Sequence, residues 1–236
     1  VCSSELLLDG YQDMTQGRMI KSVCEIVAAA REGGGAELDL IAEVHRKLTP
    51  MNSIALAETL TEYNLYFIED PIQIDSVISQ AEMAKRINIP IGNGERLTTI
   101  WEFRELLEHG GPQYVRPDVA LAGGLSHCKK IAAVAESYHS AVVTHNFLGP
   151  LITAASLHLD TCIPNFITQE YTKDDESDQY AFFTTCYQRD GGYIPIPEAP
   201  GLGVELDLDM LARTPFQPMN TAETLLREDG SVAYSV

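Results

Sequence analysis

The sequence predicts an α/β fold built as a parallel (β/α) barrel, and three observations support this prediction. Short apolar runs alternate with amphipathic helical patterns along most of the 236 residues. Six of these runs end at a charged residue or a histidine, at intervals of 23 to 27 residues. No G-x-G-x-x-G turn is present, although a doubly wound nucleotide-binding sheet would place one after its first strand. A regular repeat of this length through six strands is typical of a barrel whose strand ends share one face.

The six apolar runs are the predicted strands. They are LDLIAE (38–43), LYFIED (65–70), IPIGNGE (89–95), QYVRPD (113–118), AVVTH (141–145) and NFITQE (165–170). The charged or histidine residues at their ends are Glu43, Glu69, Glu95, Asp118, His145 and Glu170. Because active sites of barrels lie at the carboxyl ends of the strands, these six side chains are the candidate functional residues.

Helix start signals lie between the strands. A helical pattern covers about residues 17–32, and Thr49 followed by Pro50 predicts an N-cap with proline in the first turn. Thr99 and Glu102 form a predicted capping box, and Ser126 is a predicted cap for the next helix. After Glu170 the pattern dissolves into turn-rich sequence, with too much proline and glycine for another βα unit.

Composition excludes several classes of function. The chain carries 34 acidic and 16 basic residues, a formal net charge of −18. No cluster of Lys and Arg is available to neutralise phosphates, so we expect binding neither to nucleic acid nor to anionic membranes. The five cysteines are scattered and lack a C-x-x-C pair, which argues against a disulfide framework and favours the cytoplasm.

Glu43, Glu69 and Glu95 end three successive strands at equal 26-residue spacing. Adjacent strands lie about 4.8 Å apart, so the three carboxylates can converge on one point. A hard divalent cation such as Mg²⁺ would offset their repulsion and would bind through oxygen. A single strand-end glutamate is more often a helix cap or a surface ion-pair partner, but the equal spacing of three favours a metal site.

Two histidines are placed to act beside these glutamates. His45 lies two residues after Glu43, so on an extended chain it would point to the same side. His145 ends a later strand, and Asp118 ends the strand before it. An Asp118–His145 pair would fix the tautomer of the imidazole. The other four histidines fall within or at the ends of helical patterns and are interpreted as packing or surface residues.

The motifs IEDP, GERL, PDVALAGG and HNFLGP resemble those of the mandelate racemase group of the enolase superfamily. Within that group, EVHRKLTP, NFITQEY and the C-terminal PGLGVELD with LLREDGSVAYSV are similar to sugar-acid dehydratases of the mannonate and galactonate types. The resemblance covers roughly residues 17–236. It implies a modified TIM barrel, a sugar-acid substrate, a homo-oligomer and Mg²⁺ as cofactor.

The resemblance also implies roles for individual residues. Glu43, Glu69 and Glu95 would bind Mg²⁺, and His45 and His145 would act as acid and base. Asp118 would orient His145, and Glu170 would hydrogen-bond the substrate carboxylate end and the enolate. The implied reaction removes the proton next to the carboxylate and then the neighbouring hydroxyl, giving a 2-keto-3-deoxy sugar acid.

Two departures from the family pattern keep alternatives open. Glu43 stands where the family usually has Asp, and neither the N-terminal capping domain nor the first two barrel strands is recognisable. We therefore expect residues 1–37 to supply one barrel helix, 38–170 to carry strands three to eight with the site, and 171–236 to complete the barrel and pack toward the cap. The alternatives are a racemase or epimerase of the same group, and a truncated homologue or fragment with impaired catalysis.

Overall fold

The computed structural model describes residues 14–109, 111–217 and 229–231. Predictions that fall on residues 1–13, 110, 218–228 and 232–236 lie outside the described part, including much of the LLREDGSVAYSV motif. Among the described residues, no helix is both long enough and apolar enough to cross a membrane.

Helices and strands alternate as the sequence predicts. The strands are β1 (Ile41–Glu43), β2 (Phe67–Glu69), β3 (Ile91–Asn93), β4 (Tyr114–Val115), β5 (Ala141–Thr144), β6 (Phe166–Gln169), β7 (Phe183–Thr185) and β8 (Glu205–Leu206). The helices are α1 (Gln16–Gly34), α2 (Pro50–Leu60), α3 (Val77–Ala84), α4 (Ile100–Glu108), α5 (Gly124–Ser137), α6 (Pro150–Asp160) and α7 (Leu208–Arg213). Each of the six predicted strands contains one observed strand.

Six of the strands form one sheet in sequential order, β1-β2-β3-β4-β5-β6. The pairs β1–β2, β2–β3 and β5–β6 are parallel, and Glu43 is the register partner of Glu69. β7 and β8 form a separate antiparallel pair. The parallel α/β prediction is therefore confirmed, and the turn-rich tail after Glu170 folds as a small hairpin-like pair instead of another βα unit.

The described residues fall into two compact units by their internal contacts. The first comprises 14–94, 105–109 and 111–114, with 229–231, and the second comprises 95–104 and 115–217. The core of the first unit packs the apolar face of α1, carried by Met19, Val23 and Val27, with residues of α2 and the first three strands. In the second unit, Ala154 and Leu157 of α6 pack with Tyr187. The three-part division predicted from the sequence stays a prediction.

The helix caps explain where several helices begin. The Thr49 side chain accepts a hydrogen bond from the Asn52 amide ahead of Pro50, as predicted. At α4, the Glu102 carboxylate accepts from the Thr99 amide at 2.8 Å, and the Thr99 hydroxyl accepts from the Glu102 amide at 3.3 Å. This reciprocal pair is the predicted capping box.

The predicted cap of α5 is wrong. The helix begins at Gly124 and its N-cap is Gly123, so Ser126 lies inside the first turn. Gly123 and Gly124 have φ angles of 81° and 80°, a region that glycine enters without the strain of a side chain. The left-handed turn after Asp118 therefore starts the helix earlier than a serine cap would.

Gly92 shows how tightly the interior of the first unit is packed. A Cβ atom at this position would lie 2.6 Å from the ring of Phe67 on the neighbouring strand. The Phe67 ring in turn contacts Tyr66 and Tyr114, with centroid separations of 5.8 and 4.9 Å. The aromatic side chains thus occupy the space that a side chain at residue 92 would need.

A buried carboxyl group lies between α6 and β5. Asp160 is 6 % exposed, and its Oδ2 accepts a hydrogen bond from the Thr144 hydroxyl at 3.2 Å. Burial raises the pKa of Asp160 to about 8, against a smaller lowering by the Thr144 bond. The carboxyl group is therefore protonated in the folded protein at neutral pH, whereas it ionises near pH 4 in the unfolded chain.

The raised pKa of Asp160 predicts a stability change in Asp160→Asn. As pH rises from about 4 to 8, the unfolded chain loses this proton first, so Asp160 makes the wild type progressively less stable. Asparagine has no ionisable carboxyl group, so the variant lacks this pH-dependent loss of stability. We expect the free energy of unfolding of the variant, relative to wild type, to increase between pH 5 and pH 7 by up to about 1.4 kcal/mol per pH unit.

Urea unfolding at pH 5, 6 and 7 measures this difference. The control is Asp178→Asn, which makes the same change at an exposed residue of the same unit. A stability difference between Asp160→Asn and wild type that does not vary with pH would contradict the protonated state.

Candidate functional site

The first group of candidate residues consists of three glutamates at the carboxyl ends of β1, β2 and β3. Glu43 and Glu69 are the last residues of their strands, and Glu95 follows β3 by two residues. One carboxylate oxygen of each glutamate lies within 4.8 Å of the other two. All three residues are at most 3 % exposed. The sequence prediction that these side chains converge is confirmed.

The chemistry of this cluster fits a hard cation. Three ionised carboxylates at this separation repel one another, and burial strengthens the repulsion because little water screens it. All three donors are oxygens, the ligand type that Mg²⁺ and Ca²⁺ take in proteins. Glu43, Glu69 and Glu95 are therefore a group that could hold a divalent metal ion.

The chain turns sharply directly after Glu43. His45 and Arg46 have positive φ angles of 53° and 65°, so the backbone leaves the extended conformation there. The prediction for His45 assumes an extended chain after Glu43, and that assumption is wrong. Instead, the His45 amide donates to Oε1 of Glu43 at 2.5 Å. This bond fixes one oxygen of the glutamate that stands where the resembled family usually has aspartate.

Arg46 orients the groups around this turn. Its guanidinium contacts Oδ2 of Asp70 at 3.2 Å in a buried ion pair, and its Nη2 lies 3.0 Å from Nε2 of His45. Because a guanidinium only donates, Nε2 of His45 accepts this hydrogen bond and carries no proton of its own. The Arg46 amide also donates to the carbonyl of Asp70. Asp70 is thus an anchor for the turn, next to the glutamate at the end of β2.

The second group of candidate residues surrounds His145. Nδ1 of His145 lies 2.8 Å from Oδ2 of Asp118, and the two residues form an isolated parallel β-bridge. The Asp118 carboxylate accepts the Nδ1 proton, which leaves Nε2 facing Oε2 of Glu95 at 3.3 Å and Oε2 of Glu170 at 3.8 Å. His145 is 7 % exposed and Asp118 is fully buried.

Asp118 remains ionised although it is buried. Burial alone would raise the pKa of this carboxyl group, but hydrogen bonds from His145 and from backbone amides bring the pKa below its ordinary value. The amides are those of Ala120 and Leu121, both donating to Oδ1 at 2.7 and 3.0 Å. A fixed carboxylate on Nδ1 holds the imidazole in one tautomer.

Glu170 is held by three neighbours. Nη2 of Arg116 lies 2.6 Å from Oε2 of Glu170, and the Arg116 side chain is only 2 % exposed. The amide of Asn146 donates to the same oxygen at 3.0 Å, and His145 is the third neighbour. The carboxylate at the end of β6 is thus compensated by a buried cation and directed at the histidine.

Sequence reasoning missed Arg46, Arg116 and Asn146. Each directly adjoins a candidate residue or its proline: Arg46 follows His45, Asn146 follows His145, and Arg116 precedes Pro117–Asp118. An arginine at the end of an apolar strand was a signal in QYVRPD, because a buried guanidinium requires an acidic partner. That the partner is Glu170 depends on how the strands are arranged in the sheet, which the sequence alone does not show.

Comparisons with known proteins identify the family of this chain. Residues 8–210 match the family described as Enolase C-terminal domain-like. The chain belongs to this family. Its relatives include a D-galactonate dehydratase from Ralstonia pickettii (strain 12J), which is 32 % identical over 96 % of the chain. The chain spans 62 % of the length of that curated relative.

Solved structures of the same superfamily share the fold. A mandelate racemase/muconate lactonizing enzyme from Sulfitobacter sp. superimposes with a TM-score of 0.81 and 32 % identity, over 86 % of this chain and 51 % of that one. An enolase from Agrobacterium radiobacter with bound Na and L-malate has a TM-score of 0.85 and 25 % identity, over 94 % and 60 %. The prediction of an enolase-superfamily barrel fold is confirmed.

Membership in this family together with the glutamate cluster predicts a metal-dependent stability change. A ligand that binds only the folded state stabilises it by about 2.7 kcal/mol at a concentration one hundred times its Kd. We expect MgCl2 to raise the Tm of the wild type. In Glu69→Gln the increase should be smaller at the same concentration, because a neutral amide replaces one anionic ligand.

Thermal unfolding with and without MgCl2, after treatment with EDTA, measures the effect. Glu136→Gln, an exposed position on α5, is the control for nonspecific salt effects and should behave as wild type. Equal Mg²⁺-induced shifts in Glu69→Gln and wild type would exclude Glu69 as a ligand.

Proposed function

We propose that this chain is the barrel domain of a Mg²⁺-dependent sugar-acid dehydratase. The substrate would be an aldonate such as mannonate, galactonate or gluconate, and the product its 2-keto-3-deoxy acid. The observation that carries the proposal is the setting of His145, whose Nδ1 is bound by Asp118 while Nε2 faces Glu95 and Glu170. The similarity to D-galactonate dehydratase supports the choice of reaction.

Glu43, Glu69 and Glu95 would hold the Mg²⁺ ion. When bound, the ion supplies positive charge that stabilises the substrate carboxylate as it gains electron density. The Glu43 side chain is one methylene longer than the usual aspartate. Its bond from the His45 amide curls the carboxylate back toward the turn, which supports its retention as a ligand.

His145 would remove the proton next to the substrate carboxylate. Nε2 is the nitrogen that faces away from Asp118, so it is the atom available to accept a proton. The imidazolium formed in this step carries a positive charge, and the Asp118 carboxylate on Nδ1 stabilises it. The electron pair of the broken C–H bond enters the enolate of the substrate.

His45 would donate the proton that lets the neighbouring hydroxyl leave as water, which requires its ring to be protonated and its Nε2 to be released from Arg46 first. The enolate electrons then expel this hydroxyl, and the resulting enol becomes the 2-keto acid, so one water molecule is lost in all. The opposite assignment, with His45 as base and His145 as acid, is the alternative. Isotope exchange in the variants below separates the two assignments.

Glu170 would bind the carboxylate end of the substrate and the enolate through hydrogen bonds. Such contacts require a proton on one of the partners, and the close Arg116 guanidinium supplies donors beside Oε2. The Arg116 side chain of this ion pair is almost fully buried, so little water screens the charge of the guanidinium. A cytoplasmic location, a homo-oligomer and the placement of the site within residues 38–170 stay predictions.

The proposal predicts turnover of at least one aldonate. We expect the protein, supplied with MgCl2 and a panel of aldonates, to form a 2-keto-3-deoxy acid that semicarbazide detects. EDTA should abolish the reaction. Loss of α-deuterium from a labelled substrate without formation of keto acid would show epimerisation or racemisation instead. No reaction with any aldonate, while Mg²⁺ is bound, would refute the dehydratase.

His145→Asn tests the role of the histidine. We expect kcat to fall by about 10³-fold or more, because general base catalysis is lost, while the Mg²⁺-induced change in Tm is retained. If His145 is the base, His145→Asn also loses exchange of the α-proton with solvent, whereas His45→Asn retains it. His109→Asn, at an exposed position after α4, is the matched control and should keep wild-type kcat.

A further inference from the structure

A chain of hydrogen bonds lies behind Glu170 and leads away from His145. Nδ2 of Asn146 donates to Oγ1 of Thr153 at 2.5 Å and to the carbonyl of Glu170 at 3.2 Å. The Thr153 hydroxyl donates to Oδ2 of Asp174. The Tyr187 hydroxyl donates to the same oxygen at 2.5 Å. Four residues from α6, its preceding loop and the segment after β6 are thereby connected to Glu170.

The direction of these bonds is fixed by the groups themselves. A carboxylate only accepts, so the single hydroxyl proton of Thr153 goes to Asp174 and its lone pair receives the Asn146 amide. That bond orients the Asn146 side chain, and the amide group of the Asn146 main chain points at Oε2 of Glu170. Reversing the Thr153 hydroxyl would break both neighbouring bonds.

All four members of the chain are buried. Asn146 and Thr153 are fully buried, Asp174 is 2 % exposed and Tyr187 is 7 % exposed. Within the part of the chain that the structure describes, the side-chain partners of Asp174 are hydroxyl groups, those of Thr153, Thr172 and Tyr187. Burial and the Asp174 bond raise the pKa of Tyr187, so its hydroxyl remains a donor.

We propose that Thr153 and Asp174 are positioning residues, which hold Asn146 and through it fix the Glu170 carboxylate beside His145. This inference rests on the proposed dehydratase function and adds two residues to it. Neither residue contacts His145. Their effect passes through Asn146, whose main-chain amide and side chain contact Oε2 and the carbonyl of Glu170 respectively.

The test compares Thr153→Val, Thr153→Ser and Thr161→Val. Valine keeps the shape of threonine but removes the hydroxyl, and serine restores the hydroxyl. Thr161, exposed at the end of α6, donates its hydroxyl to the His158 carbonyl and provides the same Thr→Val change away from the network. The measurements are kcat and KM for the aldonate turned over, the Mg²⁺ affinity, and hydrogen–deuterium exchange of the Asn146 amide.

We expect kcat of Thr153→Val to fall about 10- to 100-fold, the range found when groups that orient reacting residues are removed. Mg²⁺ affinity should stay close to that of wild type, because no hydrogen bond described for the network goes to the glutamate cluster. Exchange of the Asn146 amide should become at least about tenfold faster, as its bond to Glu170 is loosened. Thr153→Ser should recover most of the lost kcat, and Thr161→Val should match wild type in every measurement.

Two results would overturn the inference. One is an unchanged kcat in a folded Thr153→Val protein that still turns over its aldonate, which would leave the dehydratase function standing. The other is an unchanged rate of hydrogen–deuterium exchange at the Asn146 amide in Thr153→Val. This measurement does not depend on enzymatic activity. If wild type turns over no aldonate, the proposed function fails, and the exchange measurement alone decides whether Thr153 holds Asn146. Asp174→Asn, which places an amide opposite two hydroxyl donors, should accelerate the same exchange.

Discussion

Concentrated negative charge at the carboxyl ends of the strands is the constraint that shapes this protein. Parallel strands end at the same edge of a sheet, so an acid placed at the end of each strand brings like charges together. Glu43, Glu69 and Glu95 meet within 4.8 Å under nearly complete burial. Repulsion within such a cluster is costly under burial, and a bound divalent cation would reduce that cost.

Other acids near the strand ends have cationic or amide partners within the chain. Arg46 pairs with Asp70, Arg116 pairs with Glu170, and Asp118 receives two main-chain amides together with the His145 ring. Each of these arrangements also sets an orientation: Asp118 selects the tautomer of His145, and Arg46 makes Nε2 of His45 an acceptor. The same contacts thus compensate charge and orient the two histidines.

Much of the site follows from the sequence because the repeat of the strands is regular. The spacing of Glu43, Glu69 and Glu95 predicted their convergence, and the order of the strands predicted the Asp118–His145 pair. Local backbone geometry was less accessible: the extended chain expected after Glu43 is not present, because His45 and Arg46 both adopt positive φ. Ser126 does not cap α5, because the chain makes a left-handed turn at Gly123–Gly124 that cap preferences at a single position do not predict. Contacts between distant residues, such as Arg116 with Glu170, require the strand pairing itself.

The network behind Glu170 has a consequence for how such domains can be recombined. Its members come from the loop after β5, from α6 and from the segment following β6, so no single stretch of sequence contains it. A chimera that exchanged only residues 171–187 with a relative would replace Asp174 and Tyr187 but keep Thr153, whose hydroxyl would then face a different partner. Asn146, Thr153, Asp174 and Tyr187 therefore form one hydrogen-bonded set, and a crossover point between them would separate its members.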